Sequence, residues 1–142
     1  MANALFAIHP DYARKILSGE KSFEFRTMRC RKLVARIMIY ATAPVCCVLG
    51  ETTVRQVLQA PPNALWPEVW YGAGMSKDAF DTYFKGRPTA IAYQLERPMQ
   101  YQRPVPLADV GIKRPPQSFC YLSEEQYRFL LMAVSDAVES SF

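Results

Sequence analysis

Short apolar runs broken by polar or proline-bearing turns organise the chain. Ala4 to Ile8 reads as a buried strand. His9-Pro10-Asp11 then opens a helix, because proline suits its first turn and Asp11 suits the positive end of its dipole. Ala13, Ile16 and Leu17 supply the helix's apolar stripe, and Gly19 supplies a left-handed cap. Ser22 to Arg26 then alternates polar and aromatic, the period of a strand with one face in a core. Phe23 and Phe25 should point inward while Glu24 and Arg26 share the other face. Lys21 has the parity of the phenylalanines. It joins the polar face only if it precedes regular strand geometry, and the cap at Gly19 allows that.

Arg36 to Ala41 and Val45 to Val57 are rich in β-branched and apolar residues, and the Ala43-Pro44 break makes them successive antiparallel strands. Leu65, Trp66, Val69 and Trp70 have helical spacing. Ser76 followed by Phe80, Tyr83 and Phe84, with Gly86 beyond, reads as a further short capped helix. These aromatics are assigned to the core. Ala90 to Leu95 and Met99 to Val105 form two further strands, and Lys113 to Leu122 is an extended, proline-restricted run ending in a short strand. Ser123 and Gln126 make a capping box for a final helix over about 123–139, striped by Tyr127, Leu130, Leu131, Val134 and Val138. The class is α+β, with the sheet expected to curl into a small barrel.

A chain of 142 residues, half of them apolar, supports one core, so residues 1–142 are read as a single domain. No apolar run approaches the 18 or so residues of a membrane span, and the first residues carry no basic leader, so the protein is expected to be cytoplasmic, with no membrane partner. Cys30, Cys46, Cys47 and Cys120 contain no CxxC pair, and they read as reduced structural thiols rather than zinc ligands. The formal net charge is +4, unevenly spread. Residues 1–50 hold eight basic against three acidic side chains, and Arg26, Arg29, Arg31, Lys32 and Arg36 fall within eleven positions. Such a patch suits a polyanion, although a solvated loop between strands would look the same.

One histidine, His9, excludes two-histidine ribonuclease chemistry and His-pair metal sites, and it reads as a turn or packing residue. No Walker loop, GxGxxG, GxSxG or HExxH pattern occurs, so nucleotide triphosphate hydrolysis, hydride transfer and zinc proteolysis have no support. What remains is Lys21, Glu24 and Arg26 within six residues. On a surface they would be a weak ion pair. In a cleft, burial would lower the lysine pKa and let it act as a base.

The stretch GEKSFEFR, Gly19 to Arg26, resembles the ASCH-domain motif G-x-K-x-x-E-x-R at all its fixed positions: Gly19, Lys21, Glu24 and Arg26. The lead-in DYARKILSG resembles that family too. IYATAPV, VLGETTV, LW, DAFDTYFKG, PVPL and PPQSFCYL recur in the order seen in a bacterial and phage-associated subgroup, so the resemblance runs from about Leu5 to Leu122. It implies a PUA-like barrel with a cleft lined by the motif, binding RNA, single-stranded RNA included, or a nucleotide-like ligand, with a role in RNA metabolism or transcription regulation; from the residue content, no cofactor or metal is expected. Lys21, Glu24 and Arg26 are the ligand-binding residues that the motif implies, and the basic cluster adds Arg29, Arg31 and Lys32, which would meet phosphates. Some family members resemble enzymes. One acts as a ribonuclease on single-stranded RNA, with a lysine, a tyrosine and a serine, here assigned to Lys21, Tyr40 and Ser118. Another is an amidohydrolase on acylated cytidine that has a threonine where this chain has Glu24, a departure that counts against that chemistry. A third alternative makes the motif a staple between helix and strand.

Overall fold

The structure is a computed structural model that describes residues 1–139. Strand β1 (Ala2–Ile8) leads into helix α1 (Pro10–Ser18), edge strand β2 (Phe23–Arg26), and strands β3 (Val34–Ala41) and β4 (Cys47–Ala60). Helices α2 (Pro62–Val69) and α3 (Lys77–Tyr83) follow, then β5 (Ala90–Pro106), β6 (Phe119–Leu122) and helix α4 (Glu124–Glu139). Six strands form one mixed sheet in the order β2-β5-β4-β3-β1-β6. Among the described residues only β1 and β3 run parallel, joined by the α1–β2 crossover. The α+β class and the helix positions agree with the sequence reading. The strand ladder is open, with β2 and β6 at its two edges.

Several element ends have the local causes read from the sequence. His9 caps α1, its Nδ1 accepting from Asp11 N at 3.2 Å, and Gly19 closes it at φ +88° with its N–H on Ile16 O. Ser76 caps α3 through Ala79 N, and Ser123 and Gln126 exchange the two bonds of a capping box. The expected division between Ala90–Leu95 and Met99–Val105 is absent, because β5 runs through Pro98 as one strand. Its register against β4 shifts there, with Arg97 at φ +54°, so the missing proline N–H falls on a bulge rather than a ladder bond.

Strand alternation divides the interior into separate clusters. Ala4, Phe6, Ile8, Ile37, Ile39 and Ala41 pack with Ala13 and Ile16 of α1. Leu5, Met38, Tyr40, Val48 and Tyr101 face the opposite way, with Leu130 and Ala133 of α4. Phe23 and Phe25 enter a third cluster against Leu65, Val69, Phe80 and Phe84 of α2 and α3. The side chain of Val138, the last member of the predicted α4 stripe, lies outside those described. No helix among the described residues is long and apolar enough to cross a membrane.

Candidate functional site: a cleft above β2 and an adjoining basic groove

A cavity of about 290 Å³ opens where the end of β1, the start of α1 and strand β2 converge. Glu24, Phe25 and Arg26 form one wall, Ala7 to His9 and Tyr12 another, and Met75 and Tyr83 close the rim. A groove of about 380 Å³ adjoins it and shares Arg26 and Tyr83. Arg29, Arg31, Ser118, Phe119 and Tyr121 line that groove. Together they form a base-sized, aromatic-walled hole opening onto a positively charged track.

Strand parity puts Phe23 and Phe25 in the core, as expected, and turns Glu24 toward the cleft. Glu24 is 7% exposed. Its Oε1 accepts from Phe25 N at 3.0 Å, whereas its Oε2 is shielded and makes no hydrogen bond. The nearest cation to Oε2 is Arg26 Nη2 at 3.8 Å, beyond hydrogen-bond length. A buried carboxylate oxygen without a donor is costly and calls for a function.

Arg26 is held on all sides. Nη1 donates to Ser118 Oγ at 2.9 Å and Ser118 O at 3.2 Å, Nη2 donates to Ala7 O at 2.9 Å, and the guanidinium lies 4.5 Å from the Phe6 ring centroid. It thereby ties edge strand β2 to the end of β1 and to the residue before the other edge strand, β6. Most of its donors are spent on this tie, which fixes the floor between cleft and groove.

Lys21 corrects the sequence expectation. It does not join the face of Glu24 and Arg26 but keeps the parity of the phenylalanines, 1% exposed, with Nζ 4.5 Å from the Phe25 centroid and 5.1 Å from that of Tyr12. Extended geometry begins before β2 proper, since Ser22 already bonds Gly72 O and Leu95 N, so no irregular step turns Lys21 outward. Nζ donates to Ala73 O at 2.6 Å. Gly74, at φ +67°, lies so close that a Cβ there would fall 2.6 to 3.0 Å from the lysine stem. Burial lowers the Lys21 pKa to about 8. Glu24 opposes that shift, and Lys15 and Arg26 reinforce it. Tyr12 and Phe25 both line the cleft, so Nζ sits directly behind its wall.

The remaining sequence candidates divide. Ser118 is brought beside Arg26, and Arg29 and Arg31 reach the groove. Lys32 stands over the outer side of Tyr121, 4.7 Å from its ring centroid. Arg36 is turned away, 3.8 Å from Glu51 and stacked on Tyr127. Tyr40 is not brought to Lys21. It is 4% exposed on the face of β3 opposite Ile39 and Ala41, under α4. Burial and the neighbouring Cys46 and Cys47 raise its pKa.

Sequence reasoning missed the residues that shape the site. Tyr12, Met75 and Tyr83 line the cleft, and Tyr83 donates to Phe25 O at 3.2 Å. The basic loop between β2 and β3 is pinned by two tyrosine hydroxyls. Cys30 N donates to Tyr93 at 2.8 Å and Lys32 N donates to Tyr121 at 3.1 Å. Only the helical phase of Tyr12, one turn from Lys15 and Ile16, hinted at any of this. The four cysteines are free, and no cluster of three or more His, Cys, Asp or Glu suited to a metal occurs among the described residues.

Comparison with known proteins agrees with this geometry. The chain is 35% identical over 137 residues to an ASCH domain-containing ribonuclease of Zymomonas mobilis, covering 93% of this chain and 92% of that protein. The crystal structure of the Zymomonas mobilis ASCH protein superposes with a TM-score of 0.86 at 31% identity, over 92% of this chain and 94% of that one. Two of its variants, one with a tyrosine changed to phenylalanine and one with a serine changed to alanine, superpose equally well. The N-terminal domain of Staphylothermus marinus McrB, 14% identical with a TM-score of 0.60 over 92% of this chain and 93% of that one, shares the fold alone. No protein-family model matches the sequence. Identity over nearly the full length of both chains, with Glu24 and Arg26 lining one cleft and Lys21 behind its wall, places this protein in the ASCH-domain family.

Proposed function

We propose that this protein binds single-stranded RNA along the basic groove, inserts one base into the cleft and cleaves the strand without a metal. The observation that carries the reading is Lys21, a buried amine with its pKa lowered to about 8, directly behind a base-sized cleft that opens onto arginines. The relative named a ribonuclease supports the same direction.

In this reading the neutral fraction of Lys21 takes the proton of the attacking 2′-hydroxyl, whose oxygen bonds the phosphorus as the bond to the departing 5′-oxygen breaks. That oxygen takes a proton from solvent, the products are a 2′,3′-cyclic phosphate and a 5′-hydroxyl, and Arg29 or Arg31 meets the charge that grows on the phosphate. Arg26 and Ser118 hold the floor on which the strand lies. Nζ stands behind Tyr12 and Phe25 and donates to Ala73 O, so proton transfer in this reading requires that enclosure to open. Of the tyrosines, Tyr12 and Tyr83 face the cleft and Tyr40 does not, so Tyr83→Phe compared with Tyr40→Phe separates the two assignments. Acyl-cytidine hydrolysis is not proposed, because Glu24 occupies the threonine position. The barrel implied by the resemblance is kept as part of this reading, with Arg26 rather than a strand ladder bridging the two edges. So is a place in RNA metabolism in the cytoplasm.

The test is incubation of the purified protein with end-labelled single-stranded RNA in EDTA. Cleavage that disappears in Lys21→Ala, while that variant remains folded, supports the reading. Intact RNA that is nonetheless bound supports the second reading, a binding module, which the enclosure of Lys21 Nζ behind Tyr12 and Phe25 favours.

A further inference from the structure

We infer that Glu24 makes the cleft selective for guanine. This rests on the reading of the cleft as a base site and adds which base it takes.

A carboxylate accepts and never donates, so the base that satisfies it must present N–H groups. Glu24 is more than nine-tenths buried, lines the cleft and keeps Oε2 without a donor. Its Oε1, bonded once to Phe25 N, retains a second lone pair. The final torsion of glutamate is broad, so a modest rotation presents both oxygens to an entering ligand. Two adjacent acceptors then need two adjacent donors.

Single-stranded bases are read on their Watson–Crick edges. Uracil offers one N–H flanked by two carbonyl oxygens, which a carboxylate repels. Cytosine and adenine each offer an amino group beside a ring nitrogen lone pair, so one bond forms against one repulsion. Guanine alone among the four presents N1–H and the 2-amino group side by side. Its third group, O6, is an acceptor, compatible with the Arg26 guanidinium next to the carboxylate. Tyr12, Phe25 and Tyr83 supply ring faces and edges around the inserted base. At about 290 Å³ the cavity lies at the lower end of small-ligand sites, enough for one base and not for a paired stretch.

The test is titration of the full chain with 5′-GMP, AMP, CMP, UMP, IMP and 1-methyl-GMP by calorimetry or NMR. All carry the same phosphate, so the groove contributes equally. GMP should bind about tenfold or more tighter than AMP, CMP and UMP. IMP, which keeps N1–H and lacks the 2-amino group, should fall between, and 1-methyl-GMP should match AMP. In Glu24→Gln the spread should shrink to about threefold, since an amide keeps only one acceptor oxygen. The ligand series decides the matter even if that variant fails to fold. Equal affinities, tight binding of 1-methyl-GMP or no binding of GMP would overturn the inference. RNA cleavage without base preference would overturn it while leaving the proposed activity, and selective GMP binding without RNA cleavage would do the reverse.

Discussion

Burial of Lys21 should be readable as a pH-dependent stability. Its pKa falls from the ordinary 10.5 to about 8 because the folded chain takes the ammonium out of water. The gap corresponds to about 3 kcal/mol against the folded state while the amine stays charged. Below pH 8 both states hold the proton and the cost is complete. Between pH 8 and 10.5 the unfolded chain still binds a proton that the folded chain has released, so stability rises with pH. Above 10.5 both are neutral and the cost is gone. Lys21→Met keeps the stem, which packs against Gly74, and removes the titration. Urea unfolding of both proteins at pH 7 and pH 10 cancels the tyrosines and cysteines common to them. The stability of wild type relative to Lys21→Met should rise by about 2–3 kcal/mol across that interval. A flat difference, or one that falls with pH, would show that water reaches Nζ or that Glu24 holds its charge, and the proposed base would lose its physical ground.

Gly74→Ala should destabilise by about 2–4 kcal/mol in the same assay, from a positive φ and a Cβ driven into the Lys21 stem. Arg26→Ala should cost about 3 kcal/mol or more, since it frees three hydrogen bonds and leaves Glu24 unpaired, whereas Ser118→Ala should cost about 1 kcal/mol. Tyr93→Phe should leave Cys30 N without an acceptor, costing about 1–2 kcal/mol and speeding amide hydrogen exchange in the basic loop. If RNA follows the groove, Arg29→Ala and Arg31→Ala should each flatten the slope of log affinity against log salt by roughly one, with base preference unchanged.

Much of this protein was legible locally. The caps at His9, Ser76 and Ser123 depend on side chains within three residues of the backbone they satisfy, and the Gly19 cap depends on the left-handed φ that glycine adopts, so their signals survive in one dimension. Strand alternation at Phe23, Glu24 and Phe25 is equally local, and it correctly turned the carboxylate away from the core. The division of β5 failed because Pro98 looks like a breaker until a partner strand supplies the bulge that accommodates it.

The α+β class, most of the helix ends, the basic segment after β2 and the motif that resembles the family can be read along the chain. Each rests on periodicity, charge or neighbouring residues. How those pieces are placed relative to one another depends on contacts across the fold. The backbone at Ala73 encloses Lys21 from 52 residues away, and Ser118 meets Arg26 across 92. Tyr83 arrives from α3 to complete the rim, and Tyr40 is turned to the other side of the sheet. Burial and orphaned hydrogen-bonding groups arise only from such long-range contacts. For that reason the sequence could name Lys21 and Glu24, but the fold alone revealed that the lysine is desolvated behind the wall and that the carboxylate lacks a donor.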